Sequence, residues 1–452
     1  MTFGIGPTGS AAQVAALQQQ VNANPADRIA RHNLAVELRK CGQAEQALAQ
    51  IERTWAEGLR LPETATMRGH LLADAGRFDE ALAAYREAVR VKPELVEAHA
   101  AMASLLPQLG RGSEALDSLR DALKRAPQAG ILWLEAMALA RGHMAWDQLL
   151  DWAEAAEQRF GADTMVTAFA ANALSGLDRD DEALARMDAA LAIEPTYTPG
   201  HAIRAHIFLR KGDPAAAAEA AEQATHLSAR DQSAWALLSI AWRLLGDERE
   251  HWLCDYDNLV MPIDIGLDED LPGVLEALHR VGAHPADQSL RGGTQTRGNL
   301  FEANDPVIHA LAQVTKAAIE ERIGQLTPDD SHPFLSRITG KSCFPTSWSV
   351  RLAASGFHVS HIHPAGWLSS AYYASLPPEV AAGDGQGALA FGVPDAALGL
   401  DLAPRRVVQP REGQLVLFPS YLWHGTTPFE SSAPRLTVAF DALPVDNGGQ
   451  QG

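Results

Sequence analysis

The sequence predicts a two-part protein, in which an array of helical repeats is followed by an antiparallel β-domain of the sandwich or jelly-roll type. Three observations support this prediction. Up to about Leu259 the chain is rich in Ala, Leu, Glu, Arg and Gln, and afterwards Gly, Pro, Thr, Ser and Val become frequent. A period of about 34 residues runs through the first half. Short apolar segments bounded by Gly, Pro or Asp fill the second half, which is typical of strands.

The repeat is clearest where Pro62 takes position 1, so that Gly69, Ala81 and Tyr85 take positions 8, 20 and 24. Other copies keep the same phase at positions 8 and 20 with Ala35, Ala47, Ala103, Ala115, Ala171, Ala183, Ala205 and Ala217. Small residues there let the two antiparallel helices of one unit approach closely. The pattern resembles tetratricopeptide repeats and covers residues 24–255. The resemblance implies a helical superhelix whose concave face binds an extended peptide or a helix.

The sequence predicts five segments along the chain. They are an N-terminal segment at 1–23, the repeats at 24–255, a connector at 256–284, the β-domain at 285–445 and a flexible tail at 446–452. An amphipathic helix is predicted at 306–323. Strands are predicted at 346–352, 367–376, 388–393, 406–408, 414–418 and 435–440.

Composition excludes several function classes. A formal net charge of -19 argues against binding to nucleic acid or to anionic lipid. Neither a membrane-spanning apolar stretch nor a signal peptide is apparent, so a soluble, cytoplasmic protein is expected. The three cysteines are far apart and lack CxxC spacing, which argues against a disulfide framework or a thiolate zinc site. The sequence carries no signal for an oligomeric state.

Three histidines in the second half have the arrangement of a metal site. His361 and His363 flank Ile362 just before a predicted strand, and His424 follows a later strand. Because alternate residues of a strand share one face, the first two imidazoles can point into the β-domain together. A third imidazole from the opposite sheet completes a facial set around one ion. Neutral imidazole suits Fe(II), Zn or Cu, so the ligand type alone does not name the metal.

Arg435 lies on the predicted strand that follows His424, and Thr437 shares its strand face. A guanidinium with a neighbouring hydroxyl forms a fork for a carboxylate. Here the sequence resembles the Fe(II)- and 2-oxoglutarate-dependent oxygenases, in particular a bacterial and phage group of prolyl-hydroxylase-like enzymes. The segments that carry the resemblance are HIHPAGWLSSAYYASLP, REGQLVLFPSYLWHGTTPF and PRLTVAFD, and the match covers residues 285–445.

The resemblance implies a double-stranded β-helix, with Fe(II), 2-oxoglutarate as cosubstrate and O2. It implies that His361 and His424 bind iron, and that Arg435 and Thr437 hold the distal carboxylate of 2-oxoglutarate. His363 stands where most of the family has Asp or Glu. Either His363 is a third ligand, which gives the iron a set of three neutral ligands, or it stays outside the ligand set and water takes its place.

Four further features are assigned around this motif. Tyr372 and Tyr373 alternate in face, so that one points into the barrel, where it fills the core or contacts 2-oxoglutarate. Arg351 reaches a carboxylate or forms an ion pair at the barrel rim. Tyr373 and Arg351 complete the predicted cosubstrate site. His358 is expected on the opposite strand face, at the surface or behind the ligands. The Gly- and Thr-rich segment 289–301 is predicted as a structured loop near the active-site mouth.

Two functions from different classes follow. The first is an oxygenase that hydroxylates a protein or peptide recruited by the repeats. The second is an interaction scaffold, in which the repeats do the work and the β-domain is a catalytically silent metal-binding module. A cupin-like Zn or Ni protein is a third interpretation.

Overall fold

The computed structural model describes residues 11–106, 109, 111–267, 270–279, 289–296 and 299–445. The chain divides into two compact units, Met1–Gly161 and Ala162–Gly452. This division falls inside the predicted repeat region, so that each unit holds part of the array. The predicted flexible tail at 446–452 lies outside the described residues. The predicted domain boundaries stay predictions.

Unit 1 consists of consecutive helices, and each helix contacts the next. The helices are α1 Ala11–Ala23, α2 Arg28–Lys40, α3 Ala44–Ala56, α4 Pro62–Asp74, α5 Phe78–Val91, α6 Val96–Leu105, α7 Ser113–Arg125, α8 Gly130–Gly142 and α9 Trp146–Phe160. From α2 onwards they form hairpins whose first and second helices alternate with the predicted period.

The close approach of α4 and α5 depends on the glycine at repeat position 8. A Cβ on Gly69 would lie 2.4 Å from the ring of Tyr85, which is only 2% exposed. The ring is held in place because its hydroxyl lies 2.9 Å from Nδ1 of His70. Gly76, with a φ of 73°, ends α4 in the left-handed conformation that a side chain would disfavour. The predicted role of Gly69, to let the two helices of one unit approach closely, is confirmed.

Replacing Gly69 with alanine should therefore destabilise unit 1, although alanine favours helices. We expect the free energy of unfolding to fall by about 1 to 3 kcal/mol, because the new methyl group overlaps a ring that cannot turn away without losing its hydrogen bond. Gly130→Ala is the matched control, since nothing lies within 4 Å of its Cβ position. Urea unfolding of the full chain measures both. Equal stability of Gly69→Ala and the wild type would contradict this account of the repeat.

The copy around Trp133 lacks the small residues of the other units but still folds as a helical hairpin, α8 and α9. One contact is shared with a regular copy. The indole Nε1 of Trp133 donates to the carbonyl of Pro127 at 3.0 Å, and Nε2 of His99, one repeat earlier, lies 2.9 Å from the carbonyl of Pro93. In both copies an aromatic ring nitrogen forms a hydrogen bond with the backbone of the turn that precedes the first helix of the hairpin. Trp133 itself is buried.

Unit 2 begins with further helices and continues into the β-domain. Its helices are α10 Thr164–Gly176, α11 Asp180–Ile193, α12 Thr198–Arg210, α13 Pro214–Leu227, α14 Gln232–Leu245, α15 Arg249–Cys254, α16 Tyr256–Leu259, α17 Leu271–His279, α18 Pro306–Ile323 and α19 Pro378–Ala381. Local sequence sets the ends of α14. Asp231 caps it by accepting from two backbone N–H groups, and Gly246, with a φ of 67°, ends it.

The strands of unit 2 form two antiparallel sheets. They are β1 Met261–Asp264, β2 Leu290–Gln295, β3 Ser342–His358, β4 Leu368–Ser375, β5 Leu389–Phe391, β6 Arg406–Val408, β7 Gln414–Pro419, β8 His424–Thr426 and β9 Arg435–Pro444. The large sheet has the order β1-β7-β4-β9-β3-β2, and the small sheet has the order β6-β5-β8. The rings of Phe391 in β5 and Phe418 in β7 lie 5.0 Å apart, so the two sheets pack face to face.

This architecture confirms the predicted fold class, a helical array followed by a double-stranded β-helix. Each of the six predicted strands coincides with or overlaps a strand of the structure, and α18 has the predicted bounds. The segment 289–301 is not wholly a loop, because 290–295 forms β2. A register shift between Arg291 and Gly293, with Gly292 at a φ of 69°, lets this Gly-rich stretch pair with β3.

Within unit 2 a continuous apolar core joins the helices α12 to α14 to both sheets. Trp423 donates from its indole to the carbonyl of Ala236 in α14 at 2.9 Å, and Tyr421 donates to the carbonyl of Leu253 at 2.7 Å. Arg243 donates to the carbonyls of Gly392 and Ala403, both at 2.6 Å. The residues on either side of the predicted boundary at 255 therefore share one core.

The described helices were compared with the length and hydrophobicity that a membrane-spanning helix requires. None of them is both long enough and apolar enough to cross a bilayer.

Candidate functional site

Three histidines converge between the two sheets. The nitrogen atoms that His361, His363 and His424 can offer to a metal all lie within 4.8 Å of one another. His361 and His424 exchange two backbone hydrogen bonds, of 2.9 and 3.0 Å, as an isolated bridge beside the small sheet. The backbone N–H of His363 donates to the carbonyl of Ser420 at 3.0 Å. The chain from 361 to 363 is thus fixed at both ends, which sets the positions of its two rings.

A glycine permits this close approach. A Cβ on Gly425 would lie 3.0 Å from the carbonyl oxygen of His358 and 3.1 Å from the backbone nitrogen of Ser360. Any side chain at this position would push the 358–361 segment away from β8. The separation of the His361 and His424 rings, whose centroids lie 4.3 Å apart, would then increase.

Hydrogen bonds behind the rings determine which nitrogen carries the lone pair. Nδ1 of His361 lies 2.9 Å from the carbonyl of Val359, and Nδ1 of His424 lies 2.9 Å from the carbonyl of Leu422. A carbonyl oxygen can only accept, so Nδ1 carries the hydrogen and Nε2 carries the lone pair. In each ring the nitrogen that can bind a metal is therefore Nε2.

The third ring has a different partner. Nδ1 of His363 lies 2.6 Å from Oδ1 of Asp441, whose Oδ1 also accepts from the hydroxyl of Ser369 at 2.8 Å. Nε2 of His363 lies 3.3 Å from Nε2 of His361. When the Nδ1–H group of His363 donates to Asp441, the lone pair of a neutral His363 ring is also on Nε2, so that the two Nε2 atoms face each other as two ligands of one cation do. The donor set therefore fits a divalent transition metal, which takes neutral imidazole and often has a carboxylate behind it.

Burial keeps the imidazoles of His361 and His424 neutral. Desolvation, with a smaller contribution from His363, lowers the pKa of His361 to about 3. Desolvation also lowers the pKa of His424 well below its usual value. Burial alone would raise the pKa of Asp441, but the adjacent His363 and the hydroxyl of Ser369 lower it overall. At neutral pH the site therefore presents the unprotonated imidazoles of His361 and His424 near an ionised Asp441.

These shifts predict how the metal-free protein responds to acid. The pKa of His361 in the native state, about 3, lies below its usual 6.5, so the unfolded chain binds more protons between these values. Stability should be complete above about pH 6.5 and should fall as the pH drops, by up to about 1.4 kcal/mol per pH unit for each such histidine. Urea unfolding in the presence of a chelator measures this slope.

Two variants test this prediction: His361→Gln removes the buried imidazole, and His251→Gln is the control. The first should flatten the acid slope, because it removes one buried group that must stay unprotonated. The second should leave the slope unchanged, because the His251 side chain is 73% exposed. An acid slope that is the same in the wild type and in His361→Gln would mean that the imidazole is not held neutral by burial.

His358 also lies against the site. Its ring centroid is 5.9 Å from that of His361, and the hydroxyl of Ser289 lies 2.9 Å from Nδ1 of His358 and 3.2 Å from Nε2 of His361. His358 therefore lies behind His361, which is one of the two places expected for it. The reason given for that expectation, a position on the opposite strand face, is wrong, because β3 ends at His358 and the chain turns before His361.

A buried guanidinium lies in the same domain. Arg435 is 3% exposed, and it donates from one terminal nitrogen to the carbonyl of Gly387 at 2.8 Å. Its Nε is buried without a hydrogen-bond partner, and within the described part of the chain no carboxylate neutralises it. The guanidinium lies over the ring of Tyr373, 5.0 Å from the ring centroid. The hydroxyl of Tyr373 is likewise buried without a partner. Unmet donors of this kind mark a place for an anion.

The guanidinium lies on the face of the large sheet that is connected to the histidine cluster through Asp441. Arg435, Thr437 and Asp441 are alternate residues of β9, so their side chains point to the same side. Tyr373 of β4 is the direct partner of Thr437, and it shares that side too. The structure therefore brings Thr437 and Tyr373 to the same interior face as Arg435, and Asp441 connects this face to His363.

Arg351 does not join this group. It pairs with Leu436 of β9, which lies between Arg435 and Thr437 and faces the other side of the sheet. There its Nε lies 3.1 Å from a carboxylate oxygen of Glu276 in α17. The structure thus places Arg351 in the alternative environment that the sequence allowed, an ion pair away from the predicted cosubstrate site.

Aromatic rings lie against His424 and His363. The ring of Phe418 lies 4.5 Å from that of His424, Phe391 lies 6.2 Å from it, and Trp348 stacks on His363 at 5.9 Å. Such walls exclude water and lower the local dielectric, which strengthens every electrostatic contact inside the site.

Sequence analysis missed two residues that touch the histidines, Asp441 and Ser289. For Asp441 a signal was available, since it follows Arg435 by an even number of residues on one strand and so shares its face. For Ser289 the only indication was its position at the start of the Gly-rich segment, because its contacts depend on the pairing of β2 with β3.

Comparison with known families supports both halves of the prediction. A family model described as "Putative 2OG-Fe(II) oxygenase" matches residues 346–441, a range that contains all three histidines, Arg435 and Asp441. A model described as "TPR repeat" matches residues 69–110. The two predicted resemblances, to tetratricopeptide repeats and to this oxygenase family, are thereby confirmed.

Similar solved structures are tetratricopeptide proteins. One, from Parabacteroides merdae, is 17% identical over 50% of this chain and 90% of its own, with a TM-score of 0.34. A second, the C-terminal part of a repeat protein from Cytophaga hutchinsonii, is 13% identical over 47% of this chain and 93% of its own, with a TM-score of 0.36. A third, YrrB, described as having an unusual peptide-binding site, is 17% identical over 49% of this chain and 96% of its own, with a TM-score of 0.29. Among curated proteins no relative matches.

Proposed function

We propose that this protein is an Fe(II)- and 2-oxoglutarate-dependent oxygenase that hydroxylates a protein or peptide brought to it by the repeats. One observation carries the proposal. A cluster of three imidazoles with converging nitrogen atoms and a buried guanidinium without a carboxylate partner lie in the interior of one β-domain, among the residues that the structure describes. A metal site alone would not explain the buried guanidinium, and an anion site alone would not explain the converging imidazoles.

The residues fit both groups that the family requires. His361, His363 and His424 would hold the iron, and Arg435 with Thr437 would bind the distal carboxylate of 2-oxoglutarate. Bound Fe(II) couples the oxidation of 2-oxoglutarate by O2, to succinate and CO2, with insertion of the second oxygen atom into a C–H bond of the substrate.

The protein's own side chains bind and orient the reactants. The guanidinium of Arg435 is desolvated before the cosubstrate arrives, so a carboxylate gains a charge-assisted hydrogen bond without first displacing a protein anion. The Tyr373 hydroxyl, which lacks a partner, offers the same carboxylate a further donor. The rings of Phe391 and Phe418 lie against the ring of His424 and shield it from water.

The repeats support a polypeptide substrate. Tetratricopeptide arrays commonly bind extended peptides or helices, and in unit 2 the helices α12 to α14 share one core with the β-domain. A peptide bound by these helices would be held at a fixed position relative to the β-domain. This raises the effective concentration of the peptide's reactive side chain at the site.

The direct test is the conversion of 2-oxoglutarate to succinate by the purified full-length chain, with Fe(II) and ascorbate, in air and under nitrogen. We expect slow succinate formation without any substrate, dependence on O2 and complete inhibition by a chelator. A chain that binds Fe(II) yet leaves 2-oxoglutarate unchanged would favour the scaffold function, in which the repeats act and the β-domain is silent.

A further inference from the structure

The three imidazoles of the cluster are not equivalent. His361 and His424 are each oriented by the carbonyl of the residue two positions earlier, which is a neutral and local contact. His363 is oriented by a carboxylate, Asp441, from a strand 78 residues further along the chain. Its hydrogen bond is also the shortest of the three, at 2.6 Å. One ring of the cluster therefore has an anionic partner, and the other two do not.

We propose that Asp441 is a positioning residue, which fixes His363 as the third metal ligand and supplies through that imidazole the negative charge that three neutral ligands lack. The inference rests on the proposed function in taking the three histidines as metal ligands. It answers the question that the sequence left open, whether His363 belongs to the ligand set.

The chemistry follows from the donor and acceptor roles. A carboxylate that accepts from Nδ1 fixes the tautomer with the lone pair on Nε2, and it draws the Nδ1 hydrogen towards itself, which makes Nε2 a stronger donor to a metal. The negative charge stays on the carboxylate, one imidazole away from the ion. A carboxylate bound directly to the metal would provide the same charge at shorter range.

Asp441 is itself held in place. Its Oδ1 accepts from the hydroxyl of Ser369, and the hydroxyls of Ser369 and Ser420 lie 2.8 Å apart. The side chains of His363 and Asp441 are only 11% and 13% exposed. A Cβ on Gly366 would lie 2.4 Å from the hydroxyl of Ser420, so this glycine leaves room for the network. A carboxylate that served only to cover a surface ring would not need two ordered hydroxyls behind it.

The test is a Co(II) titration of the full-length chain, followed by visible absorption, and an Fe(II) titration under nitrogen. Asp441→Asn keeps an oxygen that can accept from Nδ1 but removes the charge, and we expect metal affinity to fall by about 10- to 100-fold. Asp441→Ala should lose at least as much. Asp264→Asn is the control for net charge, because its side chain is 68% exposed, and its affinity should equal that of the wild type.

A second background separates charge from structure. His363→Asp places a carboxylate at the metal itself, so the charge on Asp441 is no longer needed. In that background Asp441→Asn should cost less than about two-fold in metal affinity. A merely structural role would give the same loss in both backgrounds, and the unfolding midpoint of metal-free Asp441→Asn would fall with it.

Each outcome decides something. Wild-type affinity in Asp441→Asn, or an equal loss in both backgrounds, overturns the inference and leaves the proposed function standing. Metal binding that depends on Asp441, in a chain that never consumes 2-oxoglutarate, upholds the inference and overturns the proposed function. A wild-type chain that binds neither Co(II) nor Fe(II) overturns both.

Discussion

Replacing His424 with alanine should weaken metal binding by at least about 100-fold and reduce succinate formation to the level without protein. The reason is geometric. His424 is the imidazole that β8 contributes to the cluster, and its ring is fixed by the carbonyl of Leu422 and by the ring of Phe418. Loss of a ligand should cost more than the roughly 10- to 100-fold typical of groups behind a ligand. Co(II) titration and succinate measurement check the two effects separately.

The control for this prediction is His251→Ala, which removes an exposed imidazole of the same unit. The unfolding midpoint of metal-free His424→Ala shows whether the domain still folds once the buried ring is gone. A folded His424→Ala protein that binds Co(II) as tightly as the wild type would show that the three histidines are not the metal site.

Replacing Arg435 with methionine should raise the Michaelis constant for 2-oxoglutarate by about 100-fold or more, while metal affinity stays within about two-fold of the wild type. A buried charge that pairs with a carboxylate contributes several kcal/mol to binding when its partner is fully desolvated. The guanidinium of Arg435 is desolvated in this way, because it is buried and forms no ion pair with a carboxylate among the described residues. Methionine preserves most of the side-chain volume over Tyr373.

Arg351→Met is the matched control, since sequence analysis assigned both arginines to the cosubstrate. Its guanidinium pairs with Glu276 on the other side of the sheet, so we expect the Michaelis constant for 2-oxoglutarate to stay within about two-fold of the wild type. A large increase in Arg351→Met together with none in Arg435→Met would reverse the assignment and place the cosubstrate outside the barrel.

The repeat region was predictable from sequence because its physics is local. Gly69 and Tyr85 meet through the packing of two adjacent helices, and the same requirement recurs in each copy of the repeat, which makes it visible as a period. The strands were predictable for a similar reason, since each is a short alternating or β-rich segment and most are bounded by turn residues. The pair His361 and His363 was recognisable because both lie in one short segment.

Other features depend on contacts between distant segments. The hydrogen bond from His363 to Asp441 requires the chain after β3 to lie against β9, and the position of Ser289 beside His358 requires β2 to pair with β3. The sequence could not decide between the two environments of Arg351, because its side of the sheet depends on its register with Leu436. The spacing of residues within one strand does not show how that strand pairs with its neighbour.

Packing of the repeat helices on the β-domain was also beyond sequence analysis. The indole of Trp423 contacts α14 and immediately precedes His424, so the repeat helices support the strand that carries a proposed ligand. This contact is a hydrogen bond from the indole to one backbone carbonyl, and no local sequence pattern predicts it.

The central claim is that one β-domain binds Fe(II) and 2-oxoglutarate together. It is tested most directly by adding Fe(II) and then 2-oxoglutarate to the full-length chain under nitrogen and recording the visible spectrum. We predict a weak charge-transfer band that saturates at about one equivalent of each, disappears in His424→Ala and needs far more 2-oxoglutarate in Arg435→Met. A chain that binds Fe(II) but develops no band at any concentration of 2-oxoglutarate would contradict the claim.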